Sequence, residues 1–150
     1  MTATKINARD ITVEVQASDG TTWNEVLGLT SATLTPSANE ETVDRTTFDS
    51  DGEYEGVIKQ RGSQIKLDGR RYQDPDTGAF DPGQSRCETL ATLKGLASLG
   101  KIRFSYPADT VWTEWTAFFS AGDQGGGNND DVTWSITATK SGPSTTTAKA

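Results

Sequence analysis

Val132-Thr133-Trp134-Ser135-Ile136-Thr137-Ala138-Thr139 decides the fold class. Val132, Trp134, Ile136 and Ala138 take one side, and the hydroxyls of Thr133, Ser135, Thr137 and Thr139 take the other. Successive side chains of an extended chain point to opposite faces, so this period of two marks a strand with one buried and one solvated face. The alternation recurs in Ile11, Val13, Val15, in Ile65 and Leu67, and in Ile102, Phe104, Tyr106. In Val111–Ser120 both faces carry aromatics: Trp115 and Phe119 on one, Trp112 and Phe118 on the other. That strand is expected to be covered on both sides.

Turn chemistry separates these runs. Asp19-Gly20 sets a hairpin after the first strand. Trp23–Thr35 resumes an extended chain, in which Gly28 is expected at a bulge. Residues 73–83 form a Pro/Gly connector, and Ala121–Asp131 a flexible loop around Gly125-Gly126-Gly127. One helix is expected at about 85–99. Ser85 and Glu88 have the spacing of a capping box, Cys87, Leu90, Leu93, Leu96 and Ala97 form an apolar stripe, and Gly100 stands at the C-cap.

The chain has 150 residues, of which 33% are apolar, so one domain with a small, aromatic core is expected. The fold class is all-β with one helix: an antiparallel sandwich or barrel of six to seven strands over residues 10–140. Residues 1–9 read as a flexible arm and 141–150, rich in Ser and Thr, as a disordered tail. The net charge of −7 argues against binding nucleic acid through phosphate neutralisation. The chain has no histidine, which removes Ser-His-Asp and Cys-His nucleophile pairs and the usual zinc sites. One cysteine excludes an intrachain disulfide and fits a reducing cytosol. No signal-like run follows Met1 and no stretch approaches membrane-spanning length, so no membrane association is expected.

Residues 36–62 break the pattern. Seven carboxylates (Glu40, Glu41, Asp44, Asp49, Asp51, Glu53, Glu55) face three bases (Arg45, Lys59, Arg61), a balance of −4 within the chain's −7. Ordering such a loop costs roughly 1–2 kcal/mol per residue. Its large apolar residues, Val43, Phe48, Tyr54, Val57 and Ile58, return only about 1.5–3 kcal/mol each when fully buried. The stretch is expected to be mobile alone and ordered against another chain.

Candidate chemistry is thin. Counted from Asp49, a calcium loop needs Gly at the sixth position and Glu at the twelfth, where Tyr54 and Gln60 stand. Glu53 and Glu55 form a carboxylate pair with nothing to fix them in a cleft. The triple glycine lacks the lysine and helix of a phosphate cradle. Trp112, Trp115 and Trp134 suit a core better than a sugar platform, and Cys87 lies on the apolar stripe as an inert thiol. No enzyme activity, cofactor or metal is expected.

The order Gly28–Leu34, the acidic stretch, Gln64–Gly69, the Ser85–Gly100 helix, the aromatic strand, the Gly/Asn/Asp loop, Asp131–Thr139 and a Ser/Thr/Pro tail resembles the major tail proteins of long-tailed, non-contractile bacteriophages. These are tail tube subunits. The resemblance implies a virion protein assembled in the host cytoplasm. Its partners would be itself, in stacked hexameric rings, and other tail proteins at the tube ends. DNA would pass through the lumen without specific binding, and an acidic lumen would repel its backbone. Either the hydroxyl row of Thr133–Thr139 or the charged row of Lys66 and Asp68 would line that lumen. Glu40, Glu41, Asp44, Arg45, Asp49, Asp51, Glu55, Lys59 and Arg61 would work at subunit contacts, with Phe48, Tyr54 and Ile58 as apolar anchors. Arg70, Arg71, Arg103 and Lys101 would supply the facing cations. The alternative is a carbohydrate-binding or tail-fibre-like β-sandwich using exposed Trp, with a hydrolase third.

Overall fold

The structure, a computed structural model, describes residues 1–149. Among these residues ten strands and one α-helix follow in order. They are β1 (Thr12–Gln16), β2 (Trp23–Glu25), β3 (Leu29–Thr35), β4 (Glu41–Asp44), β5 (Gly56–Gln60), β6 (Gln64–Arg70), α1 (Pro82–Thr92), β7 (Leu99–Ser105), β8 (Val111–Ala121), β9 (Thr133–Lys140) and β10 (Thr145–Ala148). Eight strands make one antiparallel sheet in the order β2-β1-β7-β8-β9-β6-β3, with β10 added on β8. β2 and β3 do not pair with each other, so the sheet folds over as a sandwich and does not close into a barrel. The strand number exceeds the six to seven expected because β4, β5 and β10 come from stretches read as loop and tail.

The period-two residues fill the core. Val13, Val15, Ile65, Leu67, Ile102, Phe104, Trp134, Ile136 and Ala138 are all buried, while Val132 stays half exposed ahead of β9. Phe104 and Trp115 meet edge to face at 5.1 Å, a geometry worth about 0.5–1.5 kcal/mol beyond area burial. β8 is covered on both faces near its start. Trp115, Ala117 and Phe119 point to the core, and Trp112 packs on the outside under the Arg103 guanidinium. That guanidinium lies between Trp23 at 4.2 Å and Trp112 at 4.4 Å and donates to Glu14.

The expected hairpin joins β1 and β2. The Asp19 carboxylate accepts from the Thr22 hydroxyl and from the Thr21 and Thr22 peptides. The Thr22 hydroxyl first, then those peptides, hold its pKa down at about 2. The bulge expected at Gly28 falls one residue on, between Leu29 and Ser31. Gly28 itself takes a positive φ of 77° beneath Arg70, where a Cβ would stand 2.6 Å from the Arg70 carbonyl oxygen.

The helix departs from its expected span. Pro82 presets φ at the first turn, and Asp81 caps it by accepting from the Gln84 peptide at 3.1 Å. The helix therefore starts three residues before Ser85, whose peptide donates to the Asp81 carbonyl. It stops at Thr92, because Leu93 is extended and Gly95 opens a separate 3₁₀ turn at positive φ. The stripe shrinks to Cys87 and Leu90, while Leu93 and Leu96 face solvent. Gly100 is no cap. It sits in β7, where Leu90 occupies the space a side chain would need.

Inside α1, Gln84 is fully buried. Its amide donates to the Leu27 and Arg70 carbonyls at 2.9 and 2.8 Å and accepts from the Tyr72 peptide at 3.1 Å. One turn on, Glu88 accepts from Arg71 and from the Trp134 indole N–H. Asp81, Gln84 and Glu88 thus tie one side of the helix to the ends of β2, β6 and β9.

Residues 141–150, expected to be disordered, instead supply β10. β8 offers its edge past the point where β9 ends, and β-branched Thr145–Thr147 take it, with Thr145 opposite Glu114 and Ala148 opposite Val111. Ala150 lies outside the described residues.

Three outcomes follow. Gln84→Ala leaves three buried backbone groups without partners and lowers the urea-unfolding free energy by about 3 kcal/mol; Asp81→Ala costs about 1 kcal/mol, and Ser85→Ala stays within about 0.5 kcal/mol. Burial first, then the charge of Asp81, pushes the Cys87 thiol up to about 12, so native protein at neutral pH does not react with maleimide and urea-unfolded protein does. Asp19 has a depressed pKa, so its turn contribution is complete above the ordinary carboxylate value of ~3.9 and fades as pH falls toward about 2; the Thr21 and Thr22 amide proton shifts report this titration.

Candidate assembly surface

The acidic stretch is not a structureless loop. Thr42 faces Ile58, Val43 faces Val57 and Asp44 faces Gly56, with a register slip at Glu41. The slip hides the strand period in the sequence. β4 and β5 form a two-stranded sheet separate from the main one. The tip is stitched by its own polar groups. The Glu55 peptide donates to the Thr46 hydroxyl at 2.9 Å, and the Arg45 peptide donates to the Glu55 carbonyl at 2.8 Å. The Thr47 peptide donates to Ser50 Oγ at 3.0 Å, and Asp51 and Gly52 turn the chain at positive φ. The Thr46 hydroxyl, then its peptide, lower the Asp44 pKa. At the root, the Asn39 peptide reaches the Gly62 carbonyl at 3.3 Å, and Arg61 pairs with Glu40 at 3.0 Å.

What this arm does not do is bury its apolar residues. Phe48 at the tip is 103% exposed and Tyr54 is 71% exposed. Val43, Val57 and Ile58 are also exposed. A two-stranded hairpin is marginal in water by itself, and this one keeps its ring systems outside. Among the described residues Glu40 is the one arm acid in an ion pair, which leaves Glu41, Asp44, Asp49, Asp51, Glu53 and Glu55 to solvent. Arg45 and Lys59 likewise form no ion pair.

Three of the four cations expected to face these acids are engaged within their own subunit. Arg71 pairs with Glu88 and stacks on Phe80 at 4.1 Å. Arg103 pairs with Glu14 between two Trp rings, and Lys101 lies 3.6 Å from Glu114. Those partners are far away in sequence, which is why the residues look free there. Arg70 alone of the four is exposed and outside any ion pair among the described residues. The sequence reading missed Gln84 and gave Glu88 a capping role, whereas it accepts from Arg71 and Trp134. Asp81-Pro82, a capping residue followed by proline, is the signal that would have fixed the helix start and the inward row.

The main sheet contributes an open edge. β3, Leu29–Thr35, pairs with β6 on one side only and carries neither charge nor proline; the turn Ala8–Asp10 packs near it, and a strand edge of this kind is a template for another strand. The arm leaves the Thr35/Gln64 end of the β3–β6 pair, and α1 closes the opposite end at Leu27 and Arg70. The arm and α1 therefore lie at opposite ends of the β3–β6 pair.

Among the described residues no group of three or more His, Cys, Asp or Glu stands ready to hold a metal. Trp112, Trp115 and Trp134 are buried, so they offer no sugar-stacking platform. Among the described residues no helix is long and apolar enough to cross a membrane.

No protein-family model matches the sequence, and no curated protein matches it. Solved structures do match in fold. A chain from the tail of an empty gene transfer agent particle, reconstructed with C6 symmetry, superposes with a TM-score of 0.72 at 19% identity, over 95% of this chain and 98% of that one. A chain from the virion of the native gene transfer agent particle superposes with a TM-score of 0.68 at 20% identity, with the same coverage. The fold expected from the sequence is therefore shared, end to end, with those chains.

Replacing Glu40–Arg61 by a short Gly/Ser linker leaves the subunit folded, since the arm pairs with itself and its ends are already adjacent. Thermal unfolding by circular dichroism checks this. Phe48→Ala, at a fully exposed ring, changes stability by less than about 0.5 kcal/mol.

Proposed function

We propose that this chain is the repeating subunit of a phage-like tail tube. Six copies close a ring, rings stack head to tail, and the hollow stack conducts DNA from particle to host. The observation that carries this reading is the end-to-end likeness of fold to a chain of a C6-symmetric tail. The surface chemistry supports it. A heterologous contact between unlike patches generates rings and stacks, and this subunit has unlike ends. The open β3 edge offers lateral pairing, and the arm offers apolar rings that its own domain leaves in water. Phe48, Tyr54 and Ile58 anchor the arm on a neighbouring copy, and its acids set the register of that contact. The role is mechanical and involves no catalytic step. The site of action is the virion tail, with assembly in the host cytoplasm and other tail proteins at the tube ends.

Negative-stain microscopy of purified protein tests the reading. Hollow tubes or six-fold rings are expected, and both the Glu40–Arg61 linker variant and Phe48→Asp are expected to remain as folded monomers. A wild-type chain that stays monomeric at high concentration and with tail-tip seeds, or an arm-deleted chain that still builds normal tubes, would overturn it.

A further inference from the structure

The main sheet has three strand edges to manage. β2, at one end, is three residues long and carries Glu25. The part of β8 that β9 does not reach is taken by β10 in regular pairing, from Thr145 opposite Glu114 to Ala148 opposite Val111. β3, at the other end, is seven residues long and uncharged. Proteins blunt such edges by keeping them short, by charge, or by covering them with another segment. β3 has only the last of these, and its cover is the start of the chain.

The 3₁₀ turn Ala8–Asp10 packs against β3, and a cleft of about 130 Å³ lies between Ala8-Arg9 and Leu29–Ala32. Before that turn, Thr4–Asn7 face Tyr106–Asp109 across a cleft of about 350 Å³. Adjoining both is an apolar cleft of about 340 Å³ with no charged residue in its walls. It shares Ile11 and Ala32 with the first and Tyr106 with the second, and it reaches Phe104 in the core. Met1–Asp10 thus runs as a strap beside the β3 edge and its apolar cleft. Very little holds the strap there. All ten of its residues are exposed. Among the described residues its backbone hydrogen bonds are local, from the Asp10 peptide to the Asn7 carbonyl and from the Ile11 peptide to the Ala8 carbonyl. Lys5, Arg9 and Asp10 form no ion pair among these residues. Whereas β10 pairs with the edge it covers, the strap shields β3 sterically and leaves its outward peptide groups to water.

We infer, resting on the tail tube reading above, that Met1–Asp10 is a removable guard: it covers the β3 edge in the free subunit and gives way to a second copy of the chain that pairs there. A strand laid on this edge supplies the backbone partners that the strap withholds, and displacing the strap breaks no hydrogen bond to the rest of the domain among the described residues. A second copy is the occupant because the tail tube reading makes like copies the neighbours of each subunit. A cover of this kind reduces the apparent affinity between copies to the fraction of copies whose edge is bare. Subunits are thereby kept apart at low concentration, and the guard yields once they are abundant.

Assembly followed by light scattering tests the guard in the full chain. Asn7→Gly, Ala8→Ser, Arg9→Gly and Asp10→Ser together loosen the strap at exposed positions, and thermal unfolding by circular dichroism checks that the domain stays folded. This variant is expected to polymerise at a roughly fivefold lower concentration than wild type, or lower still. An equal or higher threshold would overturn the guard, a higher one making the strap a joining element instead. The separation of two nitroxide labels, on Ala8→Cys and Lys66→Cys, reads the displacement in labelled copies diluted into unlabelled ones, with Cys87 buried and silent. The labels are expected to move apart on assembly, and an unchanged separation in tubes would overturn the displacement. Assembly by neither wild type nor the strap variant would remove the tail tube reading and the guard with it. Tubes with an unchanged threshold and separation would remove the guard alone.

Discussion

One primary amide holds the helix end of this chain's architecture together. Gln84 is buried in the helix, and its three hydrogen bonds all go to backbone of other segments: the link after β2, the last residue of β6, and the connector beyond it. A buried amide without partners would cost several kcal/mol. With all three in place it fixes where the helix lies, where β3 begins and where β6 ends. Asp81 and Glu88 extend the same row, one capping the helix and reaching Leu27, the other receiving Arg71 and the Trp134 indole. The helix is thus held by polar bonds as much as by Cys87 and Leu90, which explains how so short an apolar stripe suffices.

Much of the sheet was legible because its strands keep a strict period of two. β1, β6, β7 and β9 need nothing beyond their own residues to be recognised. The failures have local causes. The register slip at Glu41 breaks the alternation of a short hairpin, so β4 and β5 passed for loop. β10 is three Thr and one Ala that have no buried face of their own and form a strand only because β8 outruns β9. The helix starts earlier than the Ser85 capping-box spacing indicates, because Asp81 caps it and Pro82 presets its first turn. At the candidate surface, the exposed rings and acids of the arm could be read directly. The engagement of Arg71 and Arg103 could not, since their partners Glu88 and Glu14 lie 17 and 89 residues away.

The molecule separates its chemistry by region. Apolar side chains fill one folded sheet, aromatics and ion pairs cover one outer face, hydroxyls cover the other, and acids collect on an arm. The arm is the region where polar bonds organise the backbone while rings remain in water. Those rings add nothing to the folded chain that a smaller side chain would not.

The order of strands in the sheet also governs time. β1 does not pair with a neighbour in sequence alone: Val13 lies opposite Phe104 and Val15 opposite Ile102, so the sheet's middle joins the start of the chain to its last third. Pairings of such long sequence separation must close large loops before they return any energy, and β-rich chains of this kind fold in milliseconds to seconds. β10, the last strand in the chain, can dock only after β8 is in place. A newly made chain therefore passes through a slow interval in which the sheet is incomplete. During that interval chain concentration and folding speed together decide whether copies meet as finished subunits or as partial ones.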